Sequence, residues 1–276
     1  MKMKRKRKTK TDPGKRKPIF RRKTPSFNNP ILLAGSAQGI GARENQQDSC
    51  CICDRFTQGL LAVAADGMGG LKNGAEISNI VTYVFQEYFN QLTQIEYPEY
   101  ELLQMLMEAC RHVDRYMEKE NVQQGGSTVA VVYIRQDKLY YLSVGDSHIY
   151  LLRNGGLIQL NRDHIYAYEL DERVVQNRIS FEEALTHRER RALTSYVGMS
   201  SIAAVDRNLM PLQLRRGDRV LLATDGVFGT LSDEELCDVL QRADDPGTAA
   251  AILESKVREK NKPGQDNSTS VVIIYE

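Results

Sequence analysis

No apolar run in this chain of 276 residues approaches the roughly 20 residues a helix needs to span a bilayer, so no transmembrane helix is expected. The basic N-terminal segment has no apolar stretch of the secretory kind, which argues against export and for a cytoplasmic location. Disulfide architecture is missing too. The five cysteines (Cys50, Cys51, Cys53, Cys110 and Cys237) are odd in number and lack disulfide-like spacing, pointing to a reducing compartment. A zinc site lacks its materials: Cys50, Cys51 and Cys53 have no second cysteine pair, and His112, His148, His164 and His187 are scattered. Alternation along a strand accounts for the cysteine cluster better. There is no internal repeat and no sign of a second domain.

What is present suits a globular protein with a full core: 41% hydrophobic and 26% charged residues. The net charge of +1 conceals an asymmetry. The first 23 residues hold 13 Lys or Arg against the single Asp12, leaving 24 basic and 35 acidic residues elsewhere, a balance of −11. Residues 1–29 have too few apolar side chains to bury anything and are expected to be a disordered basic tail. Such a tail either contacts an anionic surface (an acidic protein, a membrane or nucleic acid) or is a solvated arm with no dedicated partner. Ordered structure is expected from about Pro30, as one domain over 30–276.

The stretch from Leu60 to Gly70, LLAVAADGMGG, organises that domain. Six apolar residues read as a strand buried on both faces, ending on Asp66 and a glycine-rich loop. The design recurs where Val220 to Thr224 leads into Asp225-Gly226. Strands are expected at 31–37, 49–56, 60–65, 128–134, 138–144, 147–153, 157–160, 210–214, 218–224 and 268–275. Helices are expected at 73–89 and 98–120, where Ile77, Val81, Phe85 and Leu102, Leu106, Val113 fall at helical spacing. Two more are expected after the capping box Ser232-Asp-Glu-Glu235, to about Arg242, and at 248–260. The region 163–200 is mixed polar, with short helical patches expected around His164 to Arg173 and Phe181 to Leu185, lying on the core. Paired helices between groups of antiparallel strands argue against a Rossmann-like sheet. They argue for an α+β fold, a sandwich of two antiparallel sheets with helices packed outside.

Five acids sit at strand ends beside turns: Asp48, Asp66, Asp146, Asp225 and Asp266. Each alone is ordinary turn chemistry. Gathered at one end of a sheet they would repel one another, and cations are the usual remedy. The ligands are all oxygen, which favours Mg²⁺ or Mn²⁺ over zinc. Two such ions about 3.5–4 Å apart can lower the pKa of a shared water and present hydroxide to phosphorus. Arg43, five positions before Asp48, is the nearest cation for phosphoryl oxygens.

Taken in order, Arg43…Asp48, Asp66-Gly-Met-Gly-Gly70, Gly126-Ser-Thr128, Gly145-Asp-Ser147, Asp163-His164, Leu193-Thr194…Gly198, Gly217 to Gly226 and Gln265-Asp-Asn267 resemble the ordered motifs of the protein phosphatase 2C family, the metal-dependent PPM-type Ser/Thr phosphatases. The resemblance runs from about residue 33 to 276 and is strongest to compact bacterial members. It implies an α-β-β-α sandwich. It also implies that Asp66 bridges two metals with the Gly67 carbonyl at one of them, that Asp48 acts mainly through water, and that Asp225 and Asp266 hold the other ion. Asp146 with Asp225 matches a third, weaker metal position of some bacterial members. Arg43 would grip the substrate phosphate, and 163–200 would be the flap beside the active site, which is thought to influence substrate choice. Met68 stands where many eukaryotic members have a histidine general acid, Gln46 where bacterial members usually have Asn, and Ser195 where an Arg is usual. The function implied is dephosphorylation of phosphoserine and phosphothreonine in proteins, opposing a Ser/Thr kinase. Two other functions compatible with the residues are a non-catalytic binding or regulatory member of the fold and a hydrolase of small phosphate monoesters.

Overall fold

The computed structural model describes residues 20–21, 31–55, 57–68 and 73–276. Strand β1 (Phe20–Arg21) pairs with β2 (Leu32–Gly39), so two residues of the stretch expected to be disordered join a sheet. The rest of the basic tail lies outside the described residues. β3 (Ser49–Arg55) and β4 (Gly59–Ala65) form a hairpin, followed by the short β5 (Gly67–Met68). Helices α1 (Asn73–Gln91) and α2 (Pro98–Lys119) come next. Then follow β6 (Gly126–Ser127), β7 (Val129–Arg135), β8 (Lys138–Val144), β9 (His148–Arg153) and β10 (Gly156–Gln159). The flap region carries α3 (Ala167–Val175) and α4 (Phe181–Thr186). The chain closes with β11 (Asp206–Arg207), β12 (Leu212–Gln213), β13 (Arg219–Ala223), α5 (Asp225–Phe228), α6 (Asp233–Arg242), α7 (Pro246–Lys260) and β14 (Ser268–Tyr275).

Two antiparallel sheets stack face to face. One has the order β1-β2-β14-β13-β9-β10; the other runs β11-β8-β7-β4-β3, with β12 also beside β8. The period of two along each strand makes the layers. On β4, Leu60, Ala62 and Ala64 enter the core between the sheets, where Val220, Leu222, Val271 and Ile273 meet them. Leu61, Val63 and Ala65 face the other way, onto Ile77, Val81 and Phe85 of α1 and Leu102 and Leu106 of α2. Leu221, Val272 and Ile274 pack outward against Leu236, Leu240 and Leu253 of α6 and α7. The result is the four-layer α-β-β-α sandwich, and β4 is buried on both faces along its whole length. The cysteine cluster resolves by the same alternation: Cys50 faces the inter-sheet core, and Cys51 and Cys53 face the helix layer.

Local signals hold the helices in place. Ser232 and Glu235 make the capping box at the start of α6, and Asp245 caps α7 ahead of Pro246. Because β4 is walled on both sides, Leu61→Ala, at 0% exposure, is expected to lower the unfolding free energy by about 2–5 kcal/mol in urea titration. Leu209→Ala, at 61% exposure, should change it by less than about 0.5 kcal/mol. Equal losses would contradict the layering.

Candidate active site

Strand register brings the five acids together. Asp48 directly precedes β3 and Asp66 directly follows β4, and the pairing of Ser49 with Ala65 sets them across one end of the hairpin. In the other sheet Ala223 pairs with Ser270, so Asp225, just past β13, and Asp266, just before β14, leave at a common end. Asp146 lies in the turn from β8 to β9, where the chain crosses between sheets. Asp66, Asp146, Asp225 and Asp266 line one cleft of about 450 Å³, with Arg43 and Gly67. Asp48 is behind its wall, 5% exposed. Every residue selected from the sequence is therefore in or directly behind this cleft.

Threonines orient the acids. Thr224 and Thr269 each donate a hydroxyl to the same oxygen of Asp48, Oδ2, at 2.8 Å. The Thr269 amide in turn donates to the Thr224 hydroxyl at 2.9 Å. The Asp66 amide donates to the Thr128 hydroxyl at 2.9 Å, and that hydroxyl pairs with Ser147 at 2.7 Å. Two glycines permit the close approach of the loops that carry the acids. A Cβ on Gly226 would collide with the Asn267 carbonyl, and one on Gly41, at φ +60°, with the Asp266 carbonyl. Arg43 reaches across to Asp266 in a 2.6 Å ion pair.

The crowding shows in the acidities. Burial, the largest cause, lifts Asp48 to about 7 despite the Thr269 and Thr224 hydrogen bonds, and Asp225 and Asp266 add to the rise. Burial followed by the charge of Asp225 lifts Asp146 to about 6. Asp66 is pushed well above the carboxylate range, by burial first and then by Asp48, Asp225, Asp146 and Asp266. Asp225 is raised by burial and Asp266, against a hydrogen bond from Asp66 and the charge of Arg43.

Two oxygens carry the argument for a cation. Asp48 Oδ1 and Asp225 Oδ1 are buried without a hydrogen-bond partner among the described residues. An unsatisfied buried acceptor costs about 1–3 kcal/mol, more when charged. The donor set is all oxygen, and among the described residues no three acidic, histidine or cysteine side chains close on one point as a ready cage. That arrangement fits a hard ion such as Mg²⁺ or Mn²⁺, which takes one or two carboxylates and keeps several waters. Of the residues selected from the sequence, Asp66, Gly67, Asp146, Asp225 and Asp266 line the cleft and would be the ones to hold such ions, with Asp48 set back behind them.

The sequence profile described as Protein phosphatase 2C matches residues 37–254. The chain belongs to the protein phosphatase 2C family. It is similar to the serine/threonine phosphatase stp of Listeria welshimeri serovar 6b, 26% identical over 235 residues that cover 84% of this chain and 90% of that protein. The serine/threonine phosphatase of S. agalactiae superposes with a TM-score of 0.78, covering 89% of this chain and 100% of that one; at 23% identity it speaks for the fold alone. The catalytic domain of the phosphatase PstP, solved in complex with two manganese ions, superposes with a TM-score of 0.70 at 26% identity, covering 89% and 99%.

As a protein phosphatase 2C member the chain departs from common patterns in ways the structure absorbs. Gln46 accepts the Asp48 amide at 3.1 Å and donates to the Gly39 carbonyl at 3.1 Å, so the longer side chain still shapes the turn before Asp48. Met68 lines the cleft, and no histidine does among the described residues. Ser195 is fully buried and bonded to Ala204 in both directions, at 2.7 and 3.0 Å. Sequence reasoning missed Thr128, Thr224 and Thr269 as orienting groups, although Thr128 and Thr224 lie inside the motifs. It also missed Arg191, which lines the cleft from the flap; in the run from Arg188 to Arg191 nothing marks one arginine over another.

A carboxyl raised by folding contributes stability that is full below its unfolded value, about 3.9, and is lost as pH rises through the folded value. With Asp146 near 6 and Asp48 near 7, the metal-free protein is expected to melt at lower temperature at pH 8 than at pH 5. Mn²⁺ should raise the melting temperature more at pH 8, where the acids are ionised. A metal-free protein more stable at pH 8, with equal Mn²⁺ effects at both, would contradict this reading of the cluster.

Proposed function

We propose that this protein is a metal-dependent phosphatase that removes phosphate from phosphoserine and phosphothreonine in other proteins. Family membership supports the reaction class. The observation that carries the reading in this chain is the cleft of four aspartates beside the ion-paired Arg43, with a buried carboxylate oxygen on Asp225 and another on Asp48 behind the wall that have no hydrogen-bond partner among the described residues. When bound, the ions supply Lewis acidity: they activate a water and neutralise charge on the phosphoryl group. The chain's own residues do the rest. Asp66, Asp225 and Asp266, with the Gly67 carbonyl, would hold the ions, and Asp146 with Asp225 would hold a third. Asp48, fixed through Oδ2 by its two threonines, keeps Oδ1 without a hydrogen-bond partner among the described residues and would act behind the others. Arg43, which pairs with Asp266 at the cleft edge, would direct its planar fork at the phosphate oxygens. The cleft offers no imidazole to protonate the leaving alkoxide.

The reading extends to an opposing Ser/Thr kinase and a cytoplasmic setting; among the described residues no helix is long and apolar enough to cross a membrane.

The test is hydrolysis of p-nitrophenyl phosphate and of a phosphothreonine peptide with and without Mn²⁺. Turnover is expected only with metal, and Asp66→Asn should reduce it by about 100-fold or more. Metal-independent turnover, or none from folded, metal-loaded protein, would overturn the proposal. Near-normal turnover by Asp66→Asn would overturn the role of Asp66.

A further inference from the structure

The flap turns into the cleft an arginine that the acids leave unused. Arg191 and Leu193 form part of the cleft wall. Their backbone is firmly tied. The Arg190 amide donates to the His187 carbonyl at 3.0 Å and the Ala192 amide to the Glu189 carbonyl at 2.8 Å, closing two successive turns around position 191. The Tyr166 amide donates to the Ala192 carbonyl at 2.9 Å, and the Thr194 amide to the His164 carbonyl at 2.9 Å. Further along, Ser127 and Val197 exchange amide-to-carbonyl bonds of 2.9 Å, and β6 pairs with β5, which directly follows Asp66. Arg191 is thus carried on a segment anchored to the metal-binding loop itself.

The arginines around it differ in employment. Arg190 is a structural residue, paired with Asp171 at 3.0 Å and donating to the Ala184 carbonyl at 3.2 Å. Arg43 pairs with Asp266 and lowers Asp225. Arg191 is exposed and meets no carboxylate, carbonyl or ring among the described residues. Nor is it among the principal influences on Asp48, Asp66, Asp146 or Asp225, which are burial, hydrogen bonds, neighbouring acids, His148 and Arg43. Its charge is held at the cleft wall, apart from the acid cluster on the floor. Leu193, two residues on, puts an apolar surface beside that charge.

A guanidinium placed this way suits an anionic group that arrives with the substrate but is not the one being cleaved. We propose that Arg191 is a specificity-determining residue that binds a second anionic group, a carboxylate or a further phosphate, on the peptide flanking the phosphorylated side chain. The assignment rests on the phosphatase reading above. The adjoining apolar surface fits a peptide chain better than a bare phosphate ester.

The experiment compares three phosphothreonine peptides of one length, with alanines, glutamates or a second phosphoserine around the target residue, in the Mn²⁺-loaded full chain. The wild type should have a KM about tenfold lower for the anionic peptides than for the alanine peptide. Arg191→Met should erase that difference through KM with kcat little changed, and should leave the alanine peptide and p-nitrophenyl phosphate unaffected. Arg191→Lys should keep part of the preference. A gain with glutamates as well as phosphoserine assigns a general anion site; a gain with phosphoserine alone assigns a phosphate site. Equal losses on all substrates, or an unchanged preference in Arg191→Met, would overturn the proposal. The same comparison by fluorescence anisotropy with non-hydrolysable phosphonate peptides keeps the two readings separate. If the wild type hydrolyses nothing, the phosphatase reading fails, and an Arg191-dependent tenfold binding preference still decides the role of Arg191.

Discussion

The structure depends on keeping several carboxylates closer together than they would stay in water. Burial first, and neighbouring acids after it, lift Asp48 and Asp146 from their ordinary range. A flexible loop could not hold such a group; it would open and hydrate. Here the acids are fixed because they terminate strands whose neighbours are set by register. β4 is sealed between two cores, and β13 and β14 are paired along five positions. The hydrophobic layers therefore supply the energy that holds the charges together, and a bound cation would relieve their repulsion.

Fine positioning comes from small polar groups. Two threonine hydroxyls occupy one oxygen of Asp48 and leave the other without a donor. That asymmetry gives the buried acid a direction. Thr128 does the corresponding work on the backbone of Asp66, so that both acids of the β3–β4 hairpin are oriented by residues from other segments. The two cleft arginines divide along similar lines, one engaged with the acid cluster and one held at the wall by the flap.

Much of this was legible in the sequence. Apolar alternation set out the long strands, helical spacing placed α1 and α2, and Asp-Gly after an apolar run marked two of the cleft acids, Asp66 and Asp225. Residues whose placement depends on distant partners were not legible. The two-residue strands β5, β6 and β11 exist only because a neighbour pairs with them, and no run that short has a period. Asp225-Gly226, read as a turn, opens the four-residue helix α5. The expected strand at 210–214 shrinks to Leu212–Gln213, an edge pairing with β8. The helical patches expected around 164–173 and 181–185 were legible and appear as α3 and α4, the latter opened by a capping box at Ser180 that was not singled out. The Thr224–Asp48 and Thr269–Asp48 bonds span 176 and 221 positions, beyond any local pattern.

The central claim is that these acids hold protons in the metal-free protein and surrender them to cations. Calorimetric titration with Mn²⁺ at about pH 6.5, in buffers of different ionisation enthalpy, measures the protons released per ion bound. With Asp48 near 7 and Asp66 pushed well above the carboxylate range, binding is expected to release protons, and less at pH 8 than at pH 6.5 as Asp48 is already ionised. Mn²⁺ binding with heats independent of the buffer, or no binding at all by the folded protein, would contradict it.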